Sequence, residues 1–182
     1  MLRTSTRVAI TLLIATTSLA ACSAGSGADS NAPERAAEVT AVPEPTWTPS
    51  DSVDLADRDQ YAAALEEGVN AARAQLDLPA LQHDECLEAT ATDRAAALVG
   101  APELAHAPLP PVRKTCPGGT IAAENLSRTD RPPQDVVQAW LDSPTHRDNL
   151  VSADLVRGAI GCVRDGGADE TPVLICSHVF LG

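Results

Sequence analysis

The sequence predicts an α+β domain: a small antiparallel sheet covered by helices on both faces. Apolar residues recur at helical spacing between Asp57 and Gly100. Two apolar stretches, Arg157–Arg164 and Val173–Phe180, each carry one cysteine and flank a Gly166-Gly167 loop, which is how antiparallel strands are written. Ser143 followed by Pro144 marks a helix start, because the Ser oxygen can accept an orphan N–H and Pro lacks the one that would be orphaned. The chain has 182 residues, with Pro-rich and polar N-terminal stretches, and so allows one ordinary domain. Aromatics make up 2%, so the core has to be built from Ala, Val, Leu and Ile.

Before the domain comes a leader. Residues 1–21 have a short basic start, an apolar run from Val8 to Ala15 and small residues before Cys22, as in a secretory signal peptide. Leu19-Ala20-Ala21-Cys22 is similar to a bacterial lipobox, which makes Cys22 the expected lipidation site and the mature N-terminus. The expected location is therefore exported and extracytoplasmic, held to the cell membrane by the N-terminal lipid. An incidental cysteine after an ordinary signal peptide is the alternative. Residues 22–54 read as the lipidated Cys and a flexible linker of Ser, Ala, Gly, Pro and acids, with Trp47 as an exposed or lightly docked aromatic. The domain is expected over residues 55–182.

Its first helix spans Asp57 to Gln75, with Leu65, Val69, Ala72 and Leu76 on one apolar face and Glu66, Glu67 and Arg73 elsewhere. Asp84 caps a second helix whose inner face is Leu87, Ala91, Ala95 and Leu98, and Gly100 ends it. His83, just before the cap, reads as a surface residue. Ala101–Gly119 is too Pro-rich to be helical throughout and carries His106. Ile121–Leu126 is a short strand bearing Glu124, with Asn125 serving the turn after it. Pro132–Leu141 is the third helix. His146 falls at the third position of the next one, where the positive end of the helix dipole favours a neutral imidazole.

With Cys22 set aside, Cys86, Cys116, Cys162 and Cys176 remain, and an even number in an exported chain favours two disulfides. Cys162–Cys176 can face each other across the hairpin, which leaves Cys86–Cys116. A zinc site made of the four lacks any C-x₂-C pair. If Cys162 opposes Cys176, Ile160 opposes His178, which then reads as a partly buried structural residue. The formal charge of −12 repels phosphate backbones, so no nucleic-acid partner is expected.

The motifs LAHAP (Leu104–Pro108), AENLS (Ala123–Ser127), Ala139-Trp140 and SPTHRDNL (Ser143–Leu150) occur in this order, preceded by ALEEGVNAARAQLDLPALQHD and followed by RGAIGCV and VLICSHVFLG. Together they resemble the bacterial branch of the CAP superfamily: cysteine-rich secretory proteins, antigen 5 and plant pathogenesis-related 1 (SCP-like) proteins. The resemblance covers Leu55 to Gly182. It implies the α-β-α sandwich of CAP domains and a cleft lined by two His and two acids. His106 takes the first His position, Glu124 the acid of the AEN motif and His146 the second His position. Ser143 stands where many eukaryotic members carry the remaining acid, and the adjacent Asp142 points elsewhere.

That leaves His106, Glu124 and His146 as the expected ligands of a divalent, zinc-like metal, the only cofactor implied, with Ser143 in the same cleft. Each also has a structural reading: a loop histidine, a buried acid accepting hydrogen bonds, a histidine packed at a helix start. The preferred function is a membrane-anchored cell-envelope binding module for a divalent cation, lipid or wall component. A metal-assisted, peptidase-like hydrolase is the first alternative, and neither an H-E-x-x-H helix nor a G-x-S-x-G elbow supports it. A scaffold for protein partners is the second. The shortage of aromatics weighs against a lipid groove.

Overall fold

A computed structural model describes residues 47–49 and 52–182. The expected signal peptide, Cys22 and most of the expected linker lie outside the described residues. In chain order the elements are α1 (Arg58–Gln75), β1 (Gln82–His83), α2 (Glu85–Ala96), α3 (Pro110–Thr115), β2 (Ala122–Thr129), α4 (Pro133–Asp142), α5 (Pro144–Leu150), β3 (Arg157–Gly167) and β4 (Pro172–Leu181). None of the described helices is long and apolar enough to cross a membrane.

Side-chain caps start the two long helices. Asp57 accepts hydrogen bonds from the backbone N–H groups of Asp59 and Gln60, and Asp84 from those of Cys86 and Leu87. The strands form one four-stranded sheet in the order β1-β3-β4-β2. β3 pairs with β4, and β4 with β2, antiparallel. The expected all-antiparallel sheet is corrected at one edge: Gln82 and His83 form a short strand parallel to β3, too brief to announce itself by alternation. The hairpin register is the one read from the cysteines, with Cys162 opposite Cys176 and Ile160 opposite His178. Both disulfides, Cys86–Cys116 and Cys162–Cys176, are formed.

Each face of the sheet has its own core. Ile160, Cys162, Leu174, Cys176 and Phe180 pack with α1 and α4, while Ala159, Val179 and Leu181 pack with α2 and α3. Val163 and Ile175 extend the second face beside Ala95. The α2 helix lies so close to β3 that a Cβ on Gly161 would come within 2.2 Å of the Thr92 backbone nitrogen. Glycine is the residue that permits this contact.

Two residues depart from the sequence reading. Arg73 is not on the polar side of α1: it is 2% exposed. Its guanidinium donates to the carbonyl oxygens of Pro79 (2.8 Å), Leu150 (2.9 Å), Ser152 (2.9 Å) and Leu155 (3.2 Å). Four acceptors offset the desolvation of a buried charge, and helical periodicity cannot reveal them. Trp47 is half-buried against the α1/α4 core, joined there by Val53 and Leu55. Its ring occupies the space above Gly68, where a Cβ would meet it at 2.5 Å and Val137 at 2.9 Å. Packing therefore reaches upstream of residue 55.

Candidate functional site

The site is built on β2, which lies at the edge of the sheet and is longer than its sequence suggested, running to Thr129. Alternation along the strand sends Glu124, opposite Val179, to the α2 face and Asn125, opposite His178, to the other. Asn125 is thus a fully buried strand residue and not a turn former. It donates from Nδ2 to the His146 carbonyl (3.1 Å) and accepts at Oδ1 from Asn149 (2.8 Å), which holds α5 against the strand.

Glu124 is saturated with donors. Arg94 on α2 grips it with two bonds, Nε to Oε1 at 2.6 Å and Nη2 to Oε2 at 2.8 Å. The Ser177 hydroxyl donates to Oε1 at 2.7 Å, and His106 Nδ1 lies 2.7 Å from Oε2. Burial alone would raise the Glu124 carboxyl; the bonds from Arg94, His106 and Ser177 outweigh it and hold the group below its ordinary range. The result is an ionised, immobilised carboxylate. Arg94 also donates to the carbonyls of Ala107 (2.9 Å) and Pro108 (3.3 Å), which fastens the loop carrying His106.

The sequence reading missed Arg94 and Ser177. Arg94 sits three residues after Ala91, at the border of the inner face of α2, and the only signal for it was that a buried Glu124 needs a counter-ion. Ser177 pairs with Leu126 across β4 and β2, so its relation to Glu124 depends on register alone.

His106 and His146 reach the edge of β2 from opposite sides. The His106 side chain is half-exposed, whereas the Glu124 side chain beneath it is buried. With Nδ1 donating to the carboxylate, the Nε2 lone pair of His106 is left available. His146 is kept below its ordinary pKa first by burial and then by the nearby His106. The helix-start argument for its neutrality is replaced by this one. Ser143 is the N-cap of α5 and Pro144 its first residue, as expected, but the Ser143 hydroxyl makes no cap hydrogen bond. Asp142 accepts from Gln138 on the exposed side of α4.

The three expected metal ligands do not gather as one set. Among the described residues the only group of three His, Cys, Asp or Glu side chains with ligand atoms all within 4.8 Å of one another is Asp84, Cys86 and Cys116, and its two cysteines are spent in a disulfide. Glu124, with all its acceptor capacity committed, fits the role of a partner that orients His106 better than that of a metal ligand. The imidazoles of His106 and His146 are the donors that remain. His83 lies apart on β1, bonded to Glu66 at 3.0 Å.

Beside these groups runs a groove of about 430 Å³. Its apolar lining includes Leu104, Leu126, Val136 and Trp140, and Ser143 and His146 stand in its wall.

Residues 67–180 match the pattern of the CAP family, described as the cysteine-rich secretory protein family. The chain belongs to this family. No curated protein matches it. Among solved structures, the CAP domain is similar to an outer surface protein from Borrelia burgdorferi, with a TM-score of 0.57 and 25% identity over 69% of this chain and 94% of that one. It shares its fold with a cysteine-rich secretory protein from Staphylococcus aureus, with a TM-score of 0.56 and 18% identity over 69% of this chain and 39% of the other. An extracellular SCP-domain protein from Bacillus anthracis has a TM-score of 0.53 and 18% identity, with coverage of 68% and 41%.

Proposed function

We propose that this CAP protein is an exported binding module of the cell envelope and that its ligand occupies the groove beside β2. The groove carries the reading: its apolar floor, polar rim and volume suit a bound ligand. Hydrolysis is disfavoured by the state of Glu124. A general base needs a free lone pair and a pKa near working pH, whereas this carboxylate is held low and fully bonded. Two of the similar proteins, an outer surface protein and an extracellular protein, support an exported location. The Cys22 lipobox adds a membrane tether to that location.

A second reading, a divalent cation held by His106 and His146 with Glu124 behind the first, is favoured by the Nδ1–Oε2 bond that fixes the His106 ring. One experiment separates the two. Retention of the purified protein on envelope fractions is measured for wild type, Ala139→Phe, which fills the exposed groove wall, and the variants His106→Ala and His146→Ala. Binding in the groove predicts that Ala139→Phe loses at least about tenfold in affinity. A cation site predicts instead zinc affinity that disappears in both His variants and weakens below about pH 6 as the imidazoles protonate. Retention indifferent to Ala139→Phe would overturn the groove reading.

A further inference from the structure

The groove follows the free edge of β2. Four consecutive residues line it, Leu126, Ser127, Arg128 and Thr129. Successive strand residues point to opposite faces, so a cavity touching all four must lie along the edge itself. Its walls agree. Leu104 comes from the α2 side, where it packs beside Ala95, Val163 and Ile175, whereas Val136 and Trp140 come from the α4 side.

The backbone along this edge can be accounted for group by group. Ile121 and Gly182 exchange both hydrogen bonds, at 2.9 and 3.1 Å. In an antiparallel ladder such pairs alternate with outward-facing ones. Ala123, Asn125, Ser127 and Thr129 therefore bond to β4, and Ala122, Glu124, Leu126 and Arg128 direct their N–H and C=O groups away from the sheet. The first of these acceptors are covered. The Glu124 carbonyl accepts from Asn149 (3.4 Å), and the Leu126 carbonyl from the Trp140 indole (3.1 Å). Cover stops there. The N–H of Leu126 and both the N–H and C=O of Arg128 have no partner among the described residues, and they border the groove.

We infer that the groove binds an extended polypeptide segment of a partner protein, which adds as a fifth strand on the outer edge of β2. This rests on the groove being the ligand site and names the class of ligand. A donor and an acceptor side by side at Arg128, with another donor two residues away at Leu126, match the repeat of a peptide backbone. Alkyl chains can fill the apolar walls but leave these backbone groups unpaired, which carries a desolvation penalty. The two walls would receive alternate side chains of the segment, so apolar residues are expected on it. Natural sheets usually blunt so long an edge. Here α5 and Trp140 cover its first part and leave its last part beside a cavity.

The test uses purified protein with blocked hexapeptides alternating Val or Ile with Thr, and the same peptides N-methylated at alternate amides. Binding is followed by amide hydrogen exchange. The inference expects saturable binding, with exchange at Leu126 and Arg128 slowed at least about tenfold while Asn125 and Ser127, already in the ladder, change little. One N-methylated register should lose at least about tenfold in affinity, and Ala139→Phe should lose as much. Equal binding of all N-methylated forms would overturn strand addition, as would unchanged exchange at Leu126 and Arg128. Phosphatidylglycerol vesicles competing through the same groove, with no peptide bound, would overturn it while leaving the binding-module reading intact. Concentration-dependent dimers that protect Arg128 without peptide would overturn it in favour of a second copy of the chain.

Discussion

Arg73 and Glu124 are both charged and both buried, at 2% and 5% exposure, yet each is accommodated differently. Arg73 has no carboxylate partner among the described residues: it spreads its charge over four backbone carbonyls from the Pro79 turn and the Leu150–Leu155 segment. Burial lowers its pKa, and it remains the cation. Glu124 is met by a cation, a hydroxyl and an imidazole. The first arrangement joins α1 to loops distant in the chain and has nothing to do with the groove. The second cancels a charge locally and uses the carboxylate to aim His106. A buried charge thus serves the fold where its partners are backbone, and the site where they are side chains.

Removing Arg73 should separate the two roles most sharply. Arg73→Ala leaves buried carbonyls unpaired and should lower unfolding free energy by about 3–5 kcal/mol in urea titrations. The loss should be the same from pH 5 to 8, since no carbonyl titrates. A loss under about 1 kcal/mol would mean that the loops are held by something else.

Arg94→Ala should have a smaller effect, about 2–3 kcal/mol near neutrality, because Glu124 can escape by taking up a proton. Its pH dependence is the sharper readout. In the wild type the depressed carboxyl contributes stability above its unfolded pKa and loses it as pH falls through the folded one. Without Arg94 burial dominates, the folded pKa rises above the unfolded value, and the variant should lose stability relative to the wild type as pH rises from about 4.5 to 7. Unfolding measured across that range checks the sign.

His178 gives the mildest test. It is fully buried against Phe180, with ring centroids 3.7 Å apart, and its Nδ1 has no hydrogen-bond partner among the described residues. Burial, with help from the charge of Arg73, lowers its pKa to about 3. The unfolded chain therefore binds more protons between about pH 6.5 and 3, and the fold loses stability as pH drops through that window, by up to about 1.4 kcal/mol per unit. His178→Phe should flatten this limb and change stability at pH 7 by less than about 1 kcal/mol. An unchanged acid limb would rule out His178 as its source.

Much of this was legible in the chain. Asp84 as a cap, the Cys162–Cys176 register with Ile160 opposite His178, and the α+β class all followed from local spacing, which is what sequence displays directly. Arg73, Arg94 and Ser177 escaped because each is defined by partners far along the chain. Asn125 escaped because a strand of mixed polar residues, AAENLSRT, carries no apolar alternation. Trp47 was read as linker because its seat, Gly68, shows itself as a vacancy only once α1 and α4 are packed.

The order of strands in the sheet also governs how the molecule can be made. β1 and β2, earlier in the chain, lie at the two edges, and the centre is the hairpin of β3 and β4, the last two strands of the sheet in chain order. An emerging chain has helices but no sheet to lay them on until Leu181 is available. The hairpin closes over a short loop and is the part able to form quickly from its own contacts, whereas Arg73 must find acceptors 77 to 82 residues away. Assembly is therefore expected to begin at the β3–β4 hairpin and recruit the rest, so a domain without β4 should fail as a whole and not fray at one end.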